Sequence, residues 1–198
     1  MTFTDVTQAA GIHFTHTSGA SGRLYFPETV GSGCAFLDYD GDGHLDLFLV
    51  NSARLPGDAG NGPFYPALYR NRGNGTFEDV TKRAGLAFES YGIGCAVGDY
   101  DNDGHPDLYV TALGPNHLFH NNGNGTFSDV TQRAGVADPR FSTSAAFVDY
   151  DRDGYLDLFV CNYCQWSPAA NKICPDSGGH PHMCGPTTYQ GVSNTLYH

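Results

Sequence analysis

Short alternations of apolar and polar residues run along the whole chain, and glycine, asparagine or aspartate separates each from the next. The turn Asn122–Gly125, with the sequence Asn-Gly-Asn-Gly, lies between two such segments. Asn-Gly between alternating apolar residues is a strong β-hairpin signal, because these residue types accept the positive φ angles of a tight turn. The pattern predicts a unit of four short strands: Cys95–Val97, Leu108–Ala112, His117–His120 and Thr126–Thr131.

This four-strand unit is repeated. Leu68–Leu86 recurs 50 residues later as Leu118–Val136, while Thr2–Ile12 and Leu196–His198 are partial copies. A second block recurs as Gly33–Leu49, Gly94–Val110 and Ser144–Val160. Four strands in about 50 residues is the size of one propeller blade, whereas a β-sandwich would not explain a repeat in fixed register. The sequence therefore predicts an all-β fold, a β-propeller whose blades have four antiparallel strands.

The repeats also suggest how the chain is divided. We expect one partial propeller domain over 1–198, with segments 2–7 (outer strand of the closing blade), 31–81 (blade 1), 92–131 (blade 2) and 142–198 (blade 3, with a cysteine-containing insertion at 161–193). A ring needs at least four blades, so we expect the remaining blades on a longer chain. Segment 2–7 would then be a stray strand, or it would supply the strand that blade 3 lacks.

Three acidic loops share the form Asp-x-Asp-x-Asp-Gly-x-x-Asp. Their aspartates are Asp38, Asp40, Asp42 and Asp46; Asp99, Asp101, Asp103 and Asp107; and Asp149, Asp151, Asp153 and Asp157. Calcium takes six to eight oxygen ligands in a flexible shell. Carboxylates at positions 1, 3, 5 and 9, with the backbone carbonyl of position 7 (His44, His105 and Tyr155), would supply such a shell. The loops therefore predict three calcium sites.

Two other interpretations of the loops fit less well. An EF-hand needs a glutamate at position 12, where this chain has Leu49, Val110 and Val160. Simple polar turns would leave four carboxylates within nine residues to repel one another. Magnesium is disfavoured because it demands stricter octahedral geometry and keeps its waters.

Composition narrows the class of function. The net charge of −11 is concentrated in the three loops, and no basic stripe is present to bind nucleic acid. No apolar run approaches the roughly 20 residues of a membrane span. A secretory signal is also missing from the sequence, as expected of the mature part of a precursor. No motif pairs a nucleophile with a base, so we expect no enzyme activity.

The six cysteines fall into two groups. Cys34 and Cys95 occupy equivalent repeat positions, where we expect small buried core residues. Cys161, Cys164, Cys174 and Cys184 lie at or inside the insertion, where they would form disulfides or bind zinc. Calcium loops indicate an extracellular setting, which favours disulfides, with Cys174–Cys184 the expected pair.

The acidic loop followed by Asp-Leu-Phe-Leu resembles the FG-GAP, or VCBS, repeat of integrin-α-like propellers. Together with Phe-Thr-Asp-Val-Thr, the Asn-Gly-Asn-Gly-Thr-Phe hairpin and Cys184-Gly-Pro, it resembles the cartilage acidic protein family with its ASPIC/UnbV-type relatives. The resemblance implies a secreted calcium-binding propeller, seven-bladed in integrins, that takes part in adhesion.

We therefore expect a non-catalytic extracellular or periplasmic module that binds a protein or glycan. The alternative is a fragment of a propeller-fold lyase or dehydratase acting on sugars, because some FG-GAP-like propellers have such activity.

Overall fold

The computed structural model describes residues 2–58 and 60–198, so Met1 and Ala59 of the predicted domain lie outside the described residues. The chain forms successive antiparallel sheets whose strands follow one another in sequence. The first sheet contains β1 (Cys34–Leu37), β2 (Asp46–Leu49), β3 (Ala67–Asn71) and β4 (Phe77–Asp79), paired in that order. The second repeats this order with β5 (Gly92–Gly98), β6 (Asp107–Ala112), β7 (His117–Asn121) and β8 (Phe127–Asp129).

A third sheet has the same start but three strands. It contains β9 (Ser142–Val148), β10 (Asp157–Asn162) and β13 (Thr195–Tyr197), with β10 in the middle. Between β10 and β13 the insertion forms a separate hairpin of β11 (Ile173–Pro175) and β12 (Pro181–Met183). The all-β fold predicted from the repeats is confirmed. Each acidic loop connects the first two strands of one of the three sheets.

Helical structure in the described residues is short. One α-helical turn, α1 (Thr131–Ala134), follows β8, and three 3-10 turns lie at Phe26–Thr29, Pro168–Ala170 and Pro186–Thr188. No helix in residues 2–58 and 60–198 has the length and apolar character to cross a membrane.

The core lies between neighbouring sheets. Phe48 and Leu68 of the first sheet pack with Leu108 of the second in one cluster. On the opposite face of β6, Tyr109 packs with Leu158 of the third sheet in another. All six residues of β6 are buried, because a sheet covers each of its faces. Each large side chain buried in this way contributes about 1.5–3 kcal/mol to stability.

The segment after each fourth strand connects one repeat to the next. Ala84, which follows β4, accepts a hydrogen bond from the backbone N–H of Phe127 in β8 at 2.8 Å. Ala10, at the equivalent position of the opening copy, accepts one from Phe77 in β4, also at 2.8 Å. The tails of the opening copy and of the first repeat therefore dock on the fourth strands of the first and second sheets.

Residues 2–7 form no strand among the described residues. The segment is extended and then turns, with the N–H of Ala10 donating to the carbonyl of Val6 at 2.7 Å. Phe3 is 99% exposed, because no neighbouring strand covers it in the described structure. The pairing of this segment with a closing blade, or with the third sheet, stays a prediction.

Candidate metal centres

Each acidic loop connects the first two strands of a sheet. Asp38 directly follows β1 and Asp46 begins β2, where it forms the last pair of the ladder with Leu37. The same arrangement holds at Gly98–Asp107 and at Val148–Asp157. The loop residues between these positions are held at both ends by the same antiparallel ladder in all three copies.

The first aspartate of each loop fixes the turn. Asp38 Oδ1 accepts the N–H of Asp42 at 3.1 Å, and Oδ2 accepts the N–H of Gly43 at 2.9 Å. The equivalent distances are 3.0 and 2.9 Å at Asp99, and 3.2 and 3.1 Å at Asp149. The same two backbone hydrogen bonds therefore stabilise the same conformation in all three acidic loops.

Two positions of each loop have left-handed backbone conformations. The predicted turn glycines at position 6, Gly43, Gly104 and Gly154, have φ angles of +85°, +89° and +93°. Position 4 is also left-handed, at Gly41, Asn102 and Arg152. Sequence reasoning missed position 4, because glycine and asparagine suit a positive φ angle but arginine gives no such signal.

The last aspartate of each loop is buried. Asp46 and Asp107 have no exposed surface, and Asp157 is 4% exposed. Asp107 Oδ2 accepts the N–H of Tyr100 at 3.1 Å, and Oδ1 accepts the N–H of Asn121 at 2.8 Å, which ties the loop to β7. Burial raises the pKa of Asp107 to about 6 and raises the pKa of Asp46, because the charged carboxylate loses its hydration.

The carboxylates of each loop converge. Ligand oxygens lie within 4.8 Å of one another in three groups: Asp38, Asp40 and Asp42; Asp99, Asp101 and Asp103; and Asp149, Asp151 and Asp157. Asp153, the remaining carboxylate of the third loop, groups instead with Asp151 and His198. Positions 1, 3 and 5 are thus brought together in the first two loops. At position 9, Asp157 joins the group of the third loop, Asp107 groups with Asp101 and His120, and Asp46 is in none of these groups.

One buried oxygen in the first loop lacks a hydrogen-bond partner, which bears on whether these residues suit a cation. Asp40 Oδ1 is buried and makes no hydrogen bond with any described residue. A buried oxygen with no donor is costly unless a cation satisfies it. Because the group contains only carboxylate oxygens, it fits a hard cation. These acidic groups can hold a metal ion.

The side chain at position 7 packs against the hairpin turn of its own sheet in the first two repeats. The imidazole of His44 lies against Gly73 in the hairpin turn of the first sheet, and His105 lies against Gly123 in the second. Tyr155 is 58% exposed. Calcium binding by the backbone carbonyls at position 7 would leave these side chains free for such packing. That role of the carbonyls stays a prediction.

A third-strand residue that sequence reasoning missed reaches each loop. Arg70 Nε lies 2.6 Å from Asp40 Oδ2, His120 Nδ1 lies 3.3 Å from Asp101 Oδ2, and His198 Nδ1 lies 2.8 Å from Asp157 Oδ1. Asp40 raises the pKa of Arg70, and the bond to Asp157 raises the pKa of His198. The repeat itself could have revealed these residues, because each of the three follows a repeat leucine (Leu68, Leu118 or Leu196) by two positions.

The insertion contains the expected disulfide, but only two of its four cysteines are paired. Cys174 and Cys184 form the expected disulfide, which joins residues of β11 and the segment after β12. A zinc site using all four insertion cysteines is therefore not formed, and Cys161 and Cys164 carry free thiols. Burial raises the pKa of Cys164, which disfavours the reactive thiolate.

The prediction for the other two cysteines is wrong in part. Cys34 is exposed because, among the described residues, no sheet packs against its face of the first sheet, where Phe36 is also exposed; the buried residue of β1 is Leu37 at the loop end. Cys95 is partly buried, and burial raises the pKa of its thiol to about 12.

Comparison with known proteins identifies the repeat. The family model for the FG-GAP-like repeat matches residues 38–110 and 99–160, and each match begins at the first aspartate of an acidic loop. No curated protein matches the chain. The two overlapping matches span more than half of the chain and support an integrin-α-like propeller with FG-GAP/VCBS repeats, while the narrower resemblance to the ASPIC/UnbV type stays a prediction. The chain therefore belongs to the FG-GAP-like repeat family.

Proposed function

We propose that the chain is a non-catalytic extracellular or periplasmic module, in which three calcium ions hold the blades rigid for binding a protein or glycan. One observation carries the proposal: the same preformed loop occurs three times, with its first aspartate fixed by backbone N–H groups and its last aspartate buried. Bound calcium would neutralise carboxylates that otherwise repel one another.

The aspartates at positions 1, 3, 5 and 9 of each loop would hold the ion, together with the backbone carbonyls of His44, His105 and Tyr155. These ligands are oxygens, which calcium prefers. Each first aspartate accepts two backbone N–H hydrogen bonds, which hold its carboxylate in place before any ion binds and so lower the entropic cost of binding.

Contacts between repeats link the loops to blade rigidity. Asn121 Nδ2 in the second sheet donates to the carbonyl of Tyr39 in the first loop at 2.9 Å. Asn102 Nδ2 in the second loop donates to the carbonyl of Gly154 in the third at 2.8 Å. An ion that fixes a loop would therefore also fix the contact between neighbouring sheets.

Two further features support the setting and the binding role. The Cys174–Cys184 disulfide suits an oxidising compartment, where free calcium is also plentiful. A cleft of about 680 Å³ beside the insertion is lined by Trp166, Gln165 and Arg140, among other residues. An aromatic ring with a few polar groups in a cleft is the usual composition of a ligand site.

Urea unfolding with calcium and with chelator tests the proposal. Calcium should stabilise the wild-type chain by about 2.7 kcal/mol at 100 times its dissociation constant for each independent site. A triple variant, Asp42→Asn, Asp103→Asn and Asp153→Asn, should lose most of this effect, whereas Asp58→Asn outside the loops should keep it. A wild-type protein equally stable in calcium and in chelator would contradict the proposal.

A further inference from the structure

The second acidic loop differs from the first in the side chain that reaches it from the third strand. His120 in β7 occupies the position that Arg70 holds in β3. Arg70 pairs with Asp40 and Asp42 at 2.6 and 2.9 Å, and its guanidinium has no lone pair to offer a metal. A neutral imidazole does have one, so the two loops present different ligand chemistry.

The geometry around His120 matches that of ligands sharing one ion. Its Nδ1 atom lies 3.3 Å from Asp101 Oδ2 and 3.3 Å from Asp107 Oδ1. Ligands about 2.0–2.1 Å from a tetrahedral zinc ion are separated by about 3.3–3.4 Å. Both distances from Nδ1 therefore match the separation of neighbouring ligands in such a shell, and the three ligand atoms lie within 4.8 Å of one another.

The Nδ1 atom of His120 also lacks a hydrogen-bond partner among the described residues. Nδ1 is buried and makes no hydrogen bond with any described residue, although two carboxylates lie beside it. His198 provides the contrast, because its Nδ1 does hydrogen-bond to Asp157 Oδ1 at 2.8 Å and its side chain is 61% exposed. Leaving a buried polar atom unpaired costs about 1–3 kcal/mol, which a bound cation would offset.

The carboxylate partner is rigid. Asp107 is fully buried, and backbone N–H groups from Tyr100 and Asn121 hold its two oxygens. Asn121 directly follows His120 in β7, so the same strand positions both ligands. A site held in this way loses little conformational entropy on binding.

We propose that Asp101, Asp107 and His120 bind a first-row transition-metal ion, zinc being the best fit, beside the oxygen ligands of the second loop. Imidazole nitrogen suits zinc and its neighbours, whereas calcium prefers oxygen alone. The inference rests on the proposed function in so far as it uses Asp101 and Asp107, which are also predicted calcium ligands. The first loop has no equivalent site, because Arg70 fills the position.

Titration of chelator-treated protein with zinc chloride tests the site. Calorimetry measures how many zinc ions bind, and nitrogen NMR of labelled histidine identifies the histidine that binds them. Zinc should shift the Nδ1 resonance of His120, and His120→Arg should lower the zinc stoichiometry by one. His117→Gln, which removes a histidine from the same strand, should leave the stoichiometry unchanged. Arg70→His should add one zinc ion to the first loop. If His120→Arg does not fold, His120→Gln replaces it.

An unmoved His120 resonance, or equal zinc stoichiometry in wild type and His120→Arg, would overturn the inference. A parallel calcium titration separates this failure from failure of the proposed function. Calcium binding without a His120-dependent zinc site would contradict the inference alone. Zinc bound at His120 in a protein that takes no calcium would contradict the proposed function and support the inference.

Discussion

The imidazole of His44, at position 7 of the first acidic loop, lies over Gly73 in the hairpin turn between the third and fourth strands. A Cβ atom added to Gly73 would come within 2.6 Å of His44 Nε2. His105 and Gly123 repeat the contact in the second sheet. The acidic loop and the Asn-Gly hairpin are therefore packed against each other, although 29 residues separate His44 from Gly73.

This contact predicts unequal costs for two neighbouring substitutions. Gly73→Ala and Gly75→Ala both place alanine at a positive φ angle, +68° and +84°, which costs about 1–2 kcal/mol. Only Gly73→Ala also meets a ring, since nothing lies within 4 Å of a Cβ at Gly75. We expect Gly73→Ala to lose about 0.5–1.5 kcal/mol more in urea unfolding, because the exposed His44 ring must leave its preferred rotamer. His44→Ala should remove that excess, and equal losses in both glycine variants would refute the packing argument.

Asp38 and Asp42 should respond differently to substitution. Asp38→Asn disturbs two backbone hydrogen bonds, so it should cost about 1–2 kcal/mol even without calcium, and more with calcium because Asp38 is also a predicted ligand. Asp42→Asn removes a more exposed carboxylate and should destabilise the protein mainly when calcium is present. Thermal unfolding in calcium and in chelator would compare the two variants. A small calcium-independent loss is expected from the Arg70 contact of Asp42, but a loss of equal size in calcium and in chelator would show that this carboxylate acts only within the chain.

The hydrogen bonds around Asp138 make the free energy of unfolding depend on pH. Despite the cost of burial, hydrogen bonds from Arg140, and also from Asn162 and Thr195, lower its pKa to about 2. Because the folded pKa lies below the unfolded value of about 3.9, the stabilisation is complete above pH 5 and disappears as pH falls toward 2. Asp138→Asn should therefore cost about 2–3 kcal/mol at pH 7.

Urea unfolding of wild type and Asp138→Asn between pH 3 and pH 7 measures this difference. The gap between the two proteins should be constant from pH 7 to pH 5 and should narrow below pH 4. Glu89→Gln, at an exposed carboxylate between β4 and β5, serves as the control. A gap that widens on acidification would contradict the assignment.

The third sheet predicts self-association of the 198-residue chain. The outer edge of β13 has no strand partner among the described residues, and Leu196 is 46% exposed on it. An open apolar edge favours pairing with another chain. Light scattering should detect oligomers, and Leu196→Lys should reduce them. A compact monomer with cooperative unfolding would be evidence against this expectation.

The sequence predicted the features that local patterns determine. Asn-Gly turns with period-2 alternation located all four strands of the second sheet, and the spacing of the aspartates located the loops. Contacts between distant segments were harder. Arg70 and His120 lie in strands whose pattern indicates only a hairpin, and their meeting with the loops depends on how the sheet folds back. The exposure of Cys34 likewise depends on which face of its sheet a neighbouring sheet covers, which the composition of the strand does not reveal.

Isothermal titration of the chelator-treated protein with calcium chloride tests the central claim most directly. Three loops with the same aspartate hydrogen bonds predict about three calcium ions per chain, with affinities in the micromolar to millimolar range suited to extracellular calcium. A stoichiometry of zero or one would contradict the account.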